Sequence, residues 1–470
     1  MRTFHRPPIF LHMRYLIAAF LFLWQTTATA QPHIQGTVTL NKSQGLIACD
    51  FTLTNLPPLP RYRILLNHGM NIQYFVSDSG KVLMYDGFYS GKMRGEALEY
   101  ALMKNNEDTF ATLPQSFRVK YRGAFPMYGD TLNSFDFKGF IACNGKTIRA
   151  TEQAKWYPVI YDVAADRLID NYSYDITVNS DDCKTVFING STPQQKSSAT
   201  FQSKTPRALF LFAGDYDFVA SNGNYILNAP IDASTASKIF KELDRIKAFQ
   251  AKALGLTYNE NIYLISHKAV EPYGPQRSWG FTIFPSFAYA GLNFKTLLDS
   301  NGKMENGTLA FFAHELSHYY FGDKMMSGVQ QWFWLESTTE YFSLKAAEAL
   351  TDTGFYNSRV REYARALQHK KYKPLAQVTD VAEISDDYRY VYGPLLLLSF
   401  EKTFGQKKIF AILSGFLKRT EMEAPGLSLF KQMALQNGIK EEVYDRFYNS
   451  FFSSDSALQN TIRFISPGQH

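Results

Sequence analysis

The stretch FFAHELSHYYFGDKMMSGVQQWFWLESTTEYF, residues 311 to 342, holds two histidines four positions apart, a glutamate directly after the first, and two further glutamates one helix-length later. In the run NGTLAFFAHELSHYYFG, Leu309, Phe312, Ala313, Leu316 and Tyr320 recur at helical spacing, and Gly322 supplies a stop, so the spacing predicts a helix. Residues four apart on a helix share a face, so His314 and His318 can reach one ion while Glu315 lies beside it. Two imidazoles leave a catalytic metal short, because three protein groups plus water form the usual set. Glu336 opens LESTTEYFSLKAAEAL, a run of good helix formers, and Glu340 lies one turn further along the same face. The pattern therefore reads as one Zn2+ ion on His314, His318 and Glu336, with Glu340 accepting a histidine N–H and orienting that ring. Glu315 has the place of a general base, a carboxylate near the metal but not on it. The competing reading is two packed core histidines and a solvated Glu340.

Outward from this stretch the chain changes character twice. From Gln31 to about Ile188 it consists of short alternating runs such as GTVTLNK, IACDFTL, FRVKYRG and YDITVNS, punctuated by Gly, Asn and Asp. Period-two alternation of this kind predicts a mostly antiparallel, sandwich-like β domain. The polar stretch GSTPQQKSSATFQSKTP suits a linker or an exposed hairpin, and a boundary is expected near residue 203. Past it, strand-like ALFLFAG and NIYLISH accompany helix-like ASTASKIFKELDRIKAFQAKALG, and after about residue 345 the pattern is helical, with PLLLLSFEKTFG and IFAILSGFLKRT the plainest cases. The expected organisation is a multidomain α+β chain. Residues 1–30 are set aside, 31–203 form an N-terminal β domain, 204–345 a catalytic domain with the HExxH helix, and 346–470 a helical subdomain completing the cleft.

Residues 1–30 read as a signal peptide. Arg2, Arg6 and Arg14 give a basic start, YLIAAFLFLW is an apolar core too short to span a bilayer, and Ala28-Thr29-Ala30 has the small-residue cleavage pattern. The expectation is export to a periplasmic or extracellular space, with no stable membrane span after cleavage. Loss of those three arginines lowers the formal charge from +6 to +3, and no basic run remains to suggest nucleic acid or an anionic membrane as partner. The aromatic residues, 16% of the chain, are dispersed and not interleaved with Lys and Arg, which suits a core better than a base-stacking platform. Cys49, Cys143 and Cys183 lack metal-ligand spacing; one pair could be bridged in an exported protein, and sequence does not choose it. Asn171, Asn189 and Asn306 stand in N-x-S/T sequons.

On these residues the chain resembles the gluzincin metallopeptidases, specifically the membrane alanyl-aminopeptidase family and the related glycyl aminopeptidases. That family follows HExxH with eighteen residues and a glutamate in a WLNEG-like block, whereas WLESTTEYF here leaves seventeen between His318 and Glu336. Glu336, Thr339, Tyr341 and Phe342 fit the EGxTxYY-like form of the glycyl branch, and Ser337 stands where the families have glycine. YRYVYGPLLLLSF is similar to the family's YEKGALVL block, which implies that Tyr390, three before Gly393, donates to the oxyanion; Tyr388 and Tyr392 are its neighbouring competitors. WYPVIYD looks like the family's WYP-type strand.

GPQRSWGFTIF, residues 274 to 284, resembles the GAMENWGLITY edge strand that binds substrate backbone. Gly274, Trp279 and Gly280 keep register, but Arg277 takes the place of the glutamate that grips a substrate's α-amine. A cation there repels an ammonium and favours a carboxylate. The resemblance implies a thermolysin-like catalytic domain and a zinc metallopeptidase acting on peptide or protein substrates, with exo- against endopeptidase action open. The alternatives are a non-catalytic, zinc- or peptide-binding descendant of the same fold, and hydrolysis of a non-peptide amide or epoxide in the same cleft.

Overall fold

The structure is a computed structural model that describes residues 31–77, 82–85, 97–103, 111–127, 137–267, 279–420 and 423–466. Buried and more exposed side chains alternate through Leu46–Thr54, Phe117–Ala124 and Asn171–Ser180, as strands with one covered face require. A six-stranded sheet has the order Ser198–Ala208, Asn171–Ser180, His33–Asn41, Leu46–Thr54, Phe117–Ala124, Asn71–Ser77. Its pairings are antiparallel apart from His33–Asn41 with Asn171–Ser180, which run parallel. A five-stranded sheet around Tyr62–Asn67 and a four-stranded sheet around Leu211–Gly214 contribute to the same core, in which Ile34, Phe51, Ile64, Ile148, Trp156 and Leu211 meet. The WYP segment lies at its centre. Trp156 Nε1 donates to the Leu209 carbonyl at 3.1 Å and the Tyr157 hydroxyl to the Asp170 carbonyl at 2.8 Å, so two buried polar tips are satisfied.

The region around residue 203 is strand. Ser198–Ala208 runs through it as an edge strand, with Ser203 paired to Tyr174. Its outer positions are polar because one face meets water, which weakens the apolar alternation that sequence reading depends on. ALFLFAG, expected with the second part, instead supplies Leu211–Gly214, which pairs with Thr147–Ala150 and Thr185–Ile188 of the β domain. All four of its residues are buried, so no alternation marks which sheet it joins.

The central domain has a five-stranded sheet in the order Phe218–Ser221, Asn224–Leu227, Tyr263–Ser266, Ser286–Ala290, Trp279–Ile283. Trp279–Ile283 is its edge and pairs antiparallel with Ser286–Ala290. Helix α1, Ala233–Leu254, is capped by the Asp232 side chain on Thr235 N–H at 2.7 Å and closed by Gly255 at φ 61°. Its buried stripe of Ala236, Ile239, Phe240, Leu243 and Ile246 repeats at helical spacing and lies against the sheet. Four further helices bear on the site: α2 (Asn306–Ser317), α3 (Thr338–Leu350), α4 (Thr353–Ala366) and α5 (Gly393–Phe404). Residue 345 falls inside α3. One apolar cluster runs from Leu264 and Phe287 of the sheet through Phe312 and Leu316 of α2 to Leu396 and Phe400 of α5, so the helical end and the central domain share a core.

Among the described residues no helix is long and apolar enough to cross a membrane. Residues 1–30 lie outside them, as do Gly274 and Arg277. The three cysteines are buried free thiols, with no bridge among them. Asn189 of the second sequon is fully buried, where it donates to the carbonyls of Ala208, Ile283 and Phe284 and accepts from Ser286. It is a joint between domains, inaccessible to a glycan.

Candidate metal centre

Helix α2 starts at Glu305, whose carboxylate accepts the Thr308 N–H at 3.2 Å, and ends at His318. Leu309, Phe312, Ala313 and Leu316 fix its buried face. Two cross-braces set its rotation: Gln250 of α1 donates to the Ala313 carbonyl at 2.7 Å, and Ser343 of α3 to the Ala310 carbonyl at 2.8 Å. His314 and His318 consequently project together, with ring centroids 5.1 Å apart.

Glu336 lies in a wide π turn, Phe333–Ser337, directly before α3. Such turns place one extra residue in the loop of the backbone hydrogen bond and recur at functional sites. Here the turn brings Glu336 Oε2 to 3.3 Å from His314 Nε2 and 3.6 Å from His318 Nε2. Thr339 Oγ1 secures the turn by donating to the Glu336 carbonyl at 2.8 Å. Among the described residues, His314, His318 and Glu336 present three ligand atoms within 4.8 Å of one another.

The other nitrogens are already engaged. His314 Nδ1 is 2.8 Å from Glu340 Oε2, and His318 Nδ1 is 3.4 Å from the Phe321 carbonyl. Each imidazole is thus turned with Nε2 toward Glu336. Glu340 is held in turn by α4, with Tyr363 OH 2.5 Å and Arg359 Nη2 3.2 Å from its Oε1.

Glu336 Oε2 is a buried carboxylate oxygen facing two ring nitrogens. A buried carboxylate needs a positive partner; a protonated His314 serves in the ion-free chain, and a cation among the three groups would serve in its place. Two imidazole nitrogens and one carboxylate suit zinc, and other transition ions accept the same donors. Without an ion, burial disfavours a charged His314, but the carboxylates of Glu336 and Glu340 outweigh it and push the ring up to about 10. Burial likewise opposes ionisation of Glu336, and the two histidines beside it overcome that and hold it down to about 2.

Tyr390 lies on a second π turn, Tyr388–Tyr392, with its ring centroid 5.8 Å from that of His314. Burial, reinforced by the charge of Glu336, raises its phenol above the ordinary range, so the hydroxyl keeps its proton. Its neighbours turn into the interior. Tyr388 is fully buried and its hydroxyl is 3.3 Å from the Lys373 carbonyl, and Tyr392 stacks on Tyr372 at 5.7 Å. The backbone of Trp279 belongs to the edge strand, paired with Ala290.

Three partners were not read from the sequence. Thr282 on the edge strand donates to Glu315 Oε2, and Arg359 and Tyr363 back Glu340. The one local hint is that Thr282 is the polar residue between Phe281 and Ile283 in a strand. Nothing in the spacing of α4 points to Glu340.

No family model and no curated protein matches the sequence. Solved structures do match in shape. Leukotriene A4 hydrolase from Saccharomyces cerevisiae superposes with a TM-score of 0.63 at 12% identity, over 90% of this chain and 67% of that one. An M1 zinc metallopeptidase from Deinococcus radiodurans superposes with a TM-score of 0.56 at 14% identity, over 94% of both chains. A mutant of the Deinococcus enzyme bound to a Tyr-Ser-Ala substrate gives 0.58 and 14%, over 93% of this chain and 94% of that one. The β-rich N-terminal domain, central domain and helical end thus have the architecture of M1 zinc metallopeptidases, at an identity that speaks for fold alone.

Proposed function

We propose that the protein is an exported, zinc-dependent metallopeptidase. The observation that carries this is the convergence of His314, His318 and Glu336, with Glu315 on the helix that carries both histidines, in a fold shared with an M1 zinc metallopeptidase from Deinococcus radiodurans. One zinc ion on those three residues would supply the Lewis acid that polarises a scissile carbonyl and acidifies bound water.

The remaining work falls to side chains. Glu315 takes the water's proton and returns it to the leaving amine. Tyr390, protonated and beside His314, donates to the oxygen on which negative charge develops. Glu340 fixes the His314 ring so that Nε2 faces the site. Arg277, with Gly274 and Trp279 in the segment that resembles a substrate-binding strand, favours a carboxylate over a free amine, which gives the chain a specificity unlike that of an ordinary aminopeptidase. Residues 1–30 direct export.

The test is incubation of zinc-loaded protein lacking residues 1–30 with a peptide library, half with free and half with acetylated N-termini, read by mass spectrometry. Internal cleavage of both halves supports the reading. Stepwise trimming of free peptides alone would show that the amine is recognised and would sink the role given to Arg277. Cleavage of neither half would favour a binding protein.

A further inference from the structure

We infer that Thr282 is a positioning residue for Glu315, its hydroxyl holding the carboxylate of the base in the attitude that proton transfer needs; this rests on the peptidase reading above. The strand Trp279–Ile283 alternates: Phe281 and Ile283 are buried among Phe187, Phe210 and Phe212, so period two sends Thr282 to the opposite face, toward α2. There its Oγ1 donates to Glu315 Oε2.

Glutamate is a long side chain with several rotamers, and the helix restricts its first torsion while leaving the outer ones open. One bond from a neighbouring element makes that choice. It engages one carboxylate oxygen and leaves Oε1 to accept a proton. A neutral hydroxyl suits the task better than Lys or Arg, because a cation so close would stabilise the anion and weaken the base.

The strand delivering this hydroxyl is itself held by the β domain. The Thr282 carbonyl accepts from Lys138 Nζ at 3.1 Å, and Lys138 pairs with Glu152 at 2.6 Å. The next carbonyl, of Ile283, accepts from the buried Asn189 at 3.1 Å. Two consecutive backbone groups are therefore fixed from outside the central domain, and the Thr282 side chain inherits that rigidity. The β domain thereby acts on the base through one strand.

The test compares zinc-loaded wild type with Thr282→Val, an isosteric β-branched replacement suited to a strand, and with Thr282→Ser, which restores the hydroxyl. The substrate is a library peptide whose cleavage by the wild type is lost in Glu315→Gln. A misplaced catalytic group costs up to about 100-fold, so Thr282→Val should lose roughly 10- to 100-fold in kcat with KM and zinc content unchanged. Thr282→Ser should recover most of that loss. Combined with Glu315→Gln, Thr282→Val should add nothing further, because both act on one step. An unchanged kcat in Thr282→Val, a Ser variant as poor as Val, or multiplying losses in the double variant would overturn the inference. If the wild type cleaves no peptide, the functional reading fails and crystal structures decide this one: Glu315 should leave its position in Thr282→Val, and an unmoved carboxylate refutes the role.

Discussion

Ser337 Oγ donates to the carbonyl of Arg389 at 2.8 Å, tying the π turn that carries Glu336 to the one that carries Tyr390. The contact is close because residue 393 has no side chain: a Cβ on Gly393 would lie 2.0 Å from Ser337 Oγ and 2.5 Å from Ser337 Cβ. Gly393 has ordinary helical angles, so space and not backbone strain demands the glycine. Gly393→Ala should then cost about 1–3 kcal/mol of overpacking. The thermal midpoint should fall and peptide cleavage with it. Ser337→Gly in the same chain removes both clashing atoms and should recover part of the lost midpoint, the remainder reflecting the lost Arg389 bond and a glycine in a helical turn; a double variant no more stable than the single one would contradict this packing account.

Glu340 touches the proposed centre only through His314, and partners at that remove typically contribute 10- to 100-fold in metal affinity. Glu340→Gln should weaken zinc binding by about that factor in competition with a calibrated chelator. Arg359→Met, which removes one of two groups holding Glu340, should have a smaller effect of the same sign. Equal zinc affinity in wild type and Glu340→Gln would remove Glu340 from the account.

Zinc uptake should release protons. In the ion-free chain the Glu336 and Glu340 carboxylates, acting against burial, push His314 up to about 10, above its unfolded value of about 6.5. That pairing therefore stabilises the chain fully below about pH 6.5 and is lost as pH rises through about 10. Glu336, held down to about 2, contributes above its unfolded value of about 4.3 and loses this as pH falls toward 2. Zinc needs the His314 Nε2 lone pair, so binding expels the imidazolium proton and tightens as pH rises. Calorimetric titration at pH 7.5 in two buffers of different ionisation enthalpy should report about one proton released per zinc. A buffer-independent heat would mean that His314 is neutral before the metal arrives.

The role proposed for Arg277 is one of charge alone. Arg277→Glu should shift the product pattern toward removal of single residues from free N-termini, since the cation that repels an α-ammonium becomes an anion that attracts it. No gain of such trimming in a variant that still cleaves acetylated peptides would show that Arg277 does not set this preference.

Much of the architecture was legible because it is local. The apolar repeat of Leu309, Phe312, Ala313 and Leu316 marks α2, and the alternation in Leu46–Thr54 and Asn171–Ser180 marks the β domain. The meeting of Glu336 with the histidines was legible as a pattern, whereas the π turn that accomplishes it has no periodic signature. What escaped was long-range. Ser198–Ala208 reads as a polar linker because it is an edge strand, ALFLFAG joins the earlier sheet through pairings with residues 147–150 and 185–188, and Asn189 is a buried joint whose sequon is coincidental. The bonds from Thr282 to Glu315 and from Arg359 and Tyr363 to Glu340 join separate elements that only the fold brings together.

The most direct measurement is zinc content and peptide cleavage, side by side, for wild type and Glu315→Gln. A metal on His314, His318 and Glu336 with Glu315 as base requires one zinc per chain in both proteins and a loss of roughly 10²- to 10⁴-fold or more in cleavage by the variant. Glu315→Gln cleaving as fast as the wild type, or a wild type that binds no zinc, would contradict it.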